Sequence, residues 1–267
     1  MIITTAGRTN EYMTAYAINI ASELESKYVE RKKRSVSAIQ EIEEGDCIVV
    51  GKERLELYPY GEKEPFFFHP NSAMFRIKRI MKGEPDPFIE AASIYSGKTV
   101  LDCTLGLASD SIVASFVAGE EGKVTGIEAN PFLAYMVNKG LKSWDSEIPI
   151  MNEAMNRIEV VNMSSLSYLE SLPDNCYDIV YFDPMFEEHI LESDGIKALS
   201  RFAVYEDITQ KLIDEALRVA KDRIVLKDHF RSSRFEKFNF DVIIRKSSKF
   251  HFGVIKKLDD QQKGRSI

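Results

Sequence analysis

Three carboxylates stand at the ends of short apolar runs, where buried strands would bring them to a common edge. They are Asp102 after TVL, Glu128 after KVTGI and Asp183 after CYDIVYF. Behind Asp102, the small residues Thr104, Gly106 and Ala108 recur at every second position, and Ser109 and Asp110 lead into SIVASFVAG. Small side chains let a backbone approach a ligand, and Gly106 adds conformational freedom within the loop. The sequence holds neither G-x-G-x-x-G nor G-x-x-x-x-G-K-[ST], so a dinucleotide pyrophosphate and a nucleoside triphosphate both lack their usual cradle. Glu128 lies 26 residues beyond Asp102. A carboxylate at the tip of a second strand can accept hydrogen bonds from both hydroxyls of a ribose. Asp183 is followed by Pro184, which fixes the backbone that presents the carboxylate and the nearby carbonyl oxygens. Those oxygens can accept hydrogen bonds from a ligand, and Phe186 adds an aromatic face beside them. Ser164 and Ser165 follow the apolar run RIEVVNM; they suit a helix N-cap, and the same position can touch an adenine. His189 belongs to no ligand cluster and reads as a loop residue.

The elements that must position these residues alternate regularly from Lys98 onward. TVLDCT, KVTGIE, RIEVVNM and CYDIVYFD read as strands; ASDSIVASFVAG, PFLAYMVNKGLKSW and SLSYLESL read as the helices between them. EDITQKLIDEALRVAK carries apolar residues at helical spacing, and DRIVLKDH, FDVIIRK and FHFGVIKKL are further strands. This alternation predicts a mainly parallel, doubly wound α/β sheet. Only the short linker SS separates the last two strands, so they are expected to form an antiparallel hairpin. Residues 1–85 depart from this rhythm and read as a small α+β lobe with a basic connector, and residues 86–267 as the main domain. In that lobe MIITTAG reads as a strand, NEYMTAYAINIASELESKY as a helix, and GDCIVVGKERLELYPYG as two strands around a turn.

Composition narrows the function classes. The 267 residues are 44% hydrophobic and 29% charged, as in soluble globular chains. No apolar stretch approaches the ~20 residues of a membrane span, and MIITTAGRTNEYM is not a secretory leader. Cys47, Cys103 and Cys176 are far apart and odd in number, which points to reduced thiols and a cytoplasmic setting. A net charge of −7 argues against indiscriminate nucleic-acid binding. Three stretches are nonetheless locally basic: RKKR (31–34), MFRIKRIMK (74–82) and VIIRKSSKFHFGVIKK (242–257).

The Asp102–Asp110 loop resembles the D-x-G-x-G-x-G loop of class I S-adenosylmethionine methyltransferases, with Thr and Ala in place of two glycines. DPMF (183–186) resembles the [DN]-P-P-[YF] motif of enzymes that methylate exocyclic amines of bases. Taken together, DCTLGLASD, GIEANP, NMSSL, VYFDPMFEEH, VLKDHF and KFHFGVI resemble the bacterial methyltransferases that modify a guanine amine in small-subunit ribosomal RNA. The resemblance covers about residues 66–267. It implies a Rossmann-like methyltransferase sheet with S-adenosylmethionine as cofactor and S-adenosylhomocysteine as product. It puts Asp102, Thr104, Gly106, Ser109, Asp110, Glu128, Ala129, Ser164, Ser165 and Asp183 at the cofactor. Asp183, Pro184 and Phe186 fall at the acceptor, and Arg76, Arg79, Lys227 and Arg231 against an RNA substrate. The chain also departs from the family. It reads LAS for LGR and EANP for ERNP, Glu187 and Glu188 stand where the family has proline and basic residues, and residues 1–65 have no counterpart. Acids beside the acceptor and the net charge of −7 keep open a second reading, transfer to a protein carboxylate or small molecule. A third is a non-catalytic RNA-binding protein on the same fold, against which the intact Asp102, Glu128 and Asp183 count.

Overall fold

The computed structural model describes residues 1–184, 202 and 207–257. Two sheets organise it. The first has four strands, β1 (Ile2–Thr5), β2 (Lys27–Tyr28), β3 (Cys47–Val50) and β4 (Leu55–Tyr58), in the order β2-β1-β3-β4. β1, β2 and β3 are parallel, and α1 (Glu11–Glu23) and α2 (Val36–Glu43) connect them. Sequence patterning anticipates β1, α1, β3 and β4 but neither β2 nor α2. The former is two residues long and the latter eight, too short to show a period.

After α3 (Asn71–Ile80) and α4 (Pro87–Ala92), the chain builds the second sheet. Its first four strands are β5 (Thr99–Asp102), β6 (Lys123–Glu128), β7 (Glu159–Asn162) and β8 (Tyr177–Phe182). β9 (Ala220–His229), β10 (Asp241–Ile243) and β11 (Phe250–Lys256) follow. Between them run α5 (Ser109–Ala118), α6 (Pro131–Ser143), α7 (Pro149–Arg157), α8 (Ser165–Ser171), α9 (Gln210–Val219) and α10 (Arg234–Lys237). The order is β10-β11-β9-β8-β5-β6-β7, parallel from β7 through β9, with β11 antiparallel to both β9 and β10. The expected hairpin is therefore present. α3, α4, α7 and α10 are additions to the sequence reading.

Both faces of this sheet are covered, so its strands read as unbroken apolar runs. Val100, Ile179, Tyr181 and Val225 pack with α5 on one face; Leu101, Val180, Phe182 and Ile224 pack with α9 on the other. Ile3, Ala17, Ile20, Ile48 and Phe66 of the amino-terminal part share a core with Leu133 and Met136 of α6. Among the described residues, no helix is long and apolar enough to cross a membrane.

Helix ends follow their local chemistry. Asn130 caps α6 by accepting from the Phe132 and Leu133 amides, and Pro131 fills the first helical position. Ser164 caps α8 through the Ser167 amide, as its sequence position suggests. Gly126 solves a packing problem in β6: a Cβ there would lie 2.3 Å from Leu105 Cδ1, so the glycine lets the β5–α5 loop lie flat on the strand. Gly126→Ala is expected to lift this loop. It should cost about 1–3 kcal/mol in a denaturation measurement and weaken S-adenosylhomocysteine binding in calorimetry.

Candidate active site

Strand order reverses between β5 and β8, and ligands in such sheets bind above the carboxyl ends at that reversal. Asp102 ends β5 and Asp183 directly follows β8. The two tips are tied together, because the Asp183 amide donates to Thr104 Oγ1 at 2.6 Å. Asp102 is buried; it accepts from Ser111 Oγ at 2.6 Å and from the Thr104 amide at 3.0 Å. Burial pushes its carboxyl up to about 7 against those hydrogen bonds. Its structural work is to fold the loop back over its own strand end.

That loop runs into α5 through Gly106 (φ +48°) and Ala108 (φ +60°), both in the left-handed region. Among the described residues no side chain caps α5, which leaves its first-turn amides to an anion. One strand further, Glu128 Oε1 accepts from the Asn130 amide at 2.9 Å, which fixes the carboxylate at the tip of β6. Asn162 Nδ2 bonds the Glu128 and Ala129 carbonyls, joining the tips of β6 and β7. Ser165 Oγ donates to the Cys103 carbonyl at 2.6 Å, so α8 starts against the β5 loop. The sequence-expected cofactor residues Asp102, Thr104, Gly106, Ser109, Asp110, Glu128, Ala129, Ser164, Ser165 and Asp183 thus all lie on strand ends, loops and helix starts at the carboxyl edge of the sheet.

Around Asp183 lies a charge network that the sequence alone does not disclose. Lys227, on β9 beside β8, places Nζ 2.6 Å from Asp183 Oδ2 and 3.1 Å from Asp110 Oδ2. Asp110 also accepts from Tyr181 Oη at 2.9 Å and pairs with Arg76 Nη1. Arg76 clasps Asp86 with both arms at 2.8 Å. Asp86 in turn caps α4 through the Phe88 and Ile89 amides. Three carboxylates (Asp86, Asp110 and Asp183) therefore share two cations, and the deficit falls on Asp183. Burial would raise both Asp110 and Asp183. At Asp110, Lys227 and Arg76 outweigh it and hold the carboxyl well below the usual range. At Asp183, burial prevails over Lys227 and pushes the carboxyl up to about 6. Lys227 stays protonated, because the two carboxylates outweigh its own burial. A quarter of the Asp183 side chain remains exposed, so the carboxylate can meet a ligand.

The basic residues expected against RNA separate into two groups. Arg76 and Lys227 are enclosed, with 21% and 18% of their side chains exposed, and their charges are engaged by Asp86, Asp110 and Asp183. The structure places them away from the expected surface contacts: Arg76 holds Asp86 and Asp110, and Lys227 holds Asp110 and Asp183. Arg79 and Arg231 are exposed; Arg79 pairs with Glu84, and Arg231 lies over the Phe230 ring. Pro184 follows Asp183 at the rim, half-buried. Phe186, Glu187, Glu188 and His189 lie outside the described residues.

A sheet of this order with ligand-facing loops at its switch point is the class I methyltransferase fold. The solved structure of the S-adenosylmethionine-dependent methyltransferase NGO1261 from Neisseria gonorrhoeae superposes with a TM-score of 0.64 over the whole of both chains, at 18% identity. The family model described as "Putative SAM-dependent methyltransferase" matches residues 33–252, and the chain belongs to that family. It is an S-adenosylmethionine-dependent methyltransferase. A Bacillus subtilis relative, "Uncharacterized protein YpiP", is 47% identical over 95% of this chain and 98% of its own. Ribosomal RNA small subunit methyltransferase J of Coxiella burnetii is 28% identical over 59% of this chain and 61% of its own. The Buchnera aphidicola protein of the same name is 30% identical over 48% and 52%. The chain thus spans about half to three-fifths of the ribosomal methyltransferases it matches.

The residues present suit the family's cofactor. The uncapped amides of α5 match its carboxylate, the Glu128 carboxylate matches its ribose hydroxyls, and the flattened loop over Gly126 leaves backbone, not side chain, facing it.

Proposed function

We propose that this enzyme methylates an exocyclic amino group of an RNA base, with a guanine of ribosomal RNA as the first candidate. The observation that carries the reading is Asp183-Pro184 at the β8 tip, with its carboxylate partly exposed and held in place by Lys227. The likeness of the chain to ribosomal RNA small subunit methyltransferase J supports the choice of acceptor. When bound, S-adenosylmethionine supplies an electrophilic methyl on a sulfonium. The α5 amides and Ser109 hold its carboxylate end, Glu128 its ribose, and Ser164 and Ser165 the edge of its adenine.

The protein's remaining work is to prepare the nucleophile. An aromatic amine attacks poorly while its lone pair is spread into the ring. The Asp183 carboxylate and the neighbouring backbone carbonyls accept hydrogen bonds from the amine protons, favour a more tetrahedral nitrogen, and aim its lone pair along the transfer axis. Positioning of this kind can supply about 7–11 kcal/mol. After transfer the nitrogen sheds one proton, and Asp183, with its carboxyl near 6, can receive it.

Two measurements test this reading. Glu128→Ala is expected to weaken S-adenosylhomocysteine binding about tenfold to a hundredfold in calorimetry, the worth of one charged hydrogen-bonding group. Unchanged affinity would remove Glu128 from the ribose site. Tritiated-methyl labelling of ribosomal subunits, bulk RNA and protein lysate should put label in RNA. Label confined to protein or small molecules would replace the acceptor. That second reading draws its support from the net charge of −7 and from Glu187 and Glu188 beside the motif.

A further inference from the structure

The carboxyl end of β9 carries an aromatic and basic surface that neither the cofactor site nor the acceptor carboxylate uses. β11 pairs antiparallel with β9, setting Phe250 opposite His229 and His251 opposite Asp228. β10 runs parallel to β9, so the turn after β10 and the turn after β9 emerge at the edge where Asp183 ends β8. Two groups of ring and cation contacts lie at this edge. Lys227 Nζ, bonded to Asp183, stands 5.0 Å from the centre of the Phe250 ring, and the Arg245 guanidinium stands 4.5 Å from that same ring. The Phe230 ring lies 4.6 Å from His229 and 6.1 Å from His251, and the Arg231 guanidinium lies 5.0 Å from it.

Phe230 is 42% exposed at this edge. Arg231, Lys246 and Lys249 around it are also exposed. The stretch 242–257 holds no acid at all, in a chain whose net charge is −7. Of the acids next to this surface, Asp228 is buried and engaged by Arg234 and Ser232, so it does not cancel the outward charge.

An exposed ring set among cations suits single-stranded nucleic acid: a base stacks on the ring or on the guanidinium over it while phosphates meet the cations. Val242, Ile243 and Ile244 at the end of β10 are exposed as well, and the cations set among the rings favour a polyanionic strand over a protein as the occupant. We propose that the Phe230–Arg231 turn and the Arg245–Lys249 turn form a platform for the unpaired nucleotides flanking the methylated base. Phe230 stacks on a neighbouring base, and Arg231, Lys246 and Lys249 neutralise its phosphates. The platform rests on the RNA reading above and extends it from the acceptor atom to the strand that carries it.

Two variants of the full chain test the platform, Phe230→Ala and the triple change Arg231→Glu, Lys246→Glu, Lys249→Glu. The probe is protein-free small-subunit ribosomal RNA, with KM and kcat for methyl transfer measured over a range of salt. Phe230→Ala should raise KM about tenfold to a hundredfold, the loss of one stacked base, with kcat changed far less. The triple variant should weaken RNA binding at low salt and flatten the salt dependence by about two units of log–log slope, near 0.7 for each lost phosphate contact on a single strand. Thermal unfolding and S-adenosylhomocysteine affinity should stay at wild-type values in both, which separates a lost platform from a lost fold. Unchanged KM and salt slope in both variants, while the wild type labels RNA, would overturn the platform and leave the RNA reading standing. Label in protein or small molecules, with none in RNA from the wild type, would overturn both.

Discussion

Asp183→Asn is expected to lower methyl transfer by about 10²- to 10⁴-fold, the range for a positioned group that handles a reacting proton. Asparagine keeps the shape of the side chain and its place behind Pro184 but cannot carry the negative charge that draws on the amine. Its amide nitrogen would also face the amine protons as a second donor. The fold should persist, because the backbone tie from the 183 amide to Thr104 Oγ1 does not involve the side chain. S-adenosylhomocysteine affinity should change by no more than about tenfold, one charged hydrogen bond at most. Single-turnover transfer and calorimetry on the same variant separate the two effects. A variant that binds the product and still methylates at the wild-type rate would remove Asp183 from the chemistry.

Lys227→Met should combine a stability defect with a shifted pH profile. Methionine fills much of the same volume but leaves Asp183 and Asp110 without their shared cation. Breaking an enclosed ion pair on one side costs about 3–5 kcal/mol, because the partner charge stays behind. The sign with pH follows from the carboxylates. Without Lys227 the Asp183 value, already raised, climbs further, and Asp110 keeps only Arg76 to hold it down, so the deficit is smallest at acid pH, where the carboxyls can protonate. It grows as pH climbs through the raised values. In the wild-type enzyme, transfer needs the Asp183 carboxylate and should fall as pH drops through about 6. In Lys227→Met that acid limb should move to higher pH. Asp110 and Asp183 titrate as a linked set, so the limb reports the set, not one residue. A residue with a purely structural role would lower the amount of folded enzyme and leave the limb where it was.

The contrast between these two residues shows what the chain discloses by itself. Asp102, Glu128 and Asp183 are visible because each stops an apolar run, and a strand in a parallel sheet delivers its last residue to the ligand edge. Ser164 is visible because capping is local chemistry. Lys227 is 44 positions from Asp183 and 117 from Asp110, and their meeting depends on β9 lying beside β8. Tyr181 reads as one more apolar member of CYDIVYF, and nothing nearby indicates that its hydroxyl reaches Asp110. Arg76 and Arg79 look alike in a basic stretch. Only the packing of α3 on α5 turns the first toward Asp110 and leaves the second in solvent. In the amino-terminal part, β2 has two residues and no period to detect, whereas the thirteen-residue α1 declares itself through Met13, Ala17, Ile20 and Ala21 on one face.

The most direct test of the central claim uses purified enzyme, methyl-labelled S-adenosylmethionine and protein-free small-subunit ribosomal RNA, followed by digestion to nucleosides. The expected result is label in a single nucleoside whose base carries the methyl on an exocyclic nitrogen, absent when Asp183 is asparagine. Label on a ribose oxygen or a ring carbon, or label equally strong with Asp183→Asn, would contradict the account.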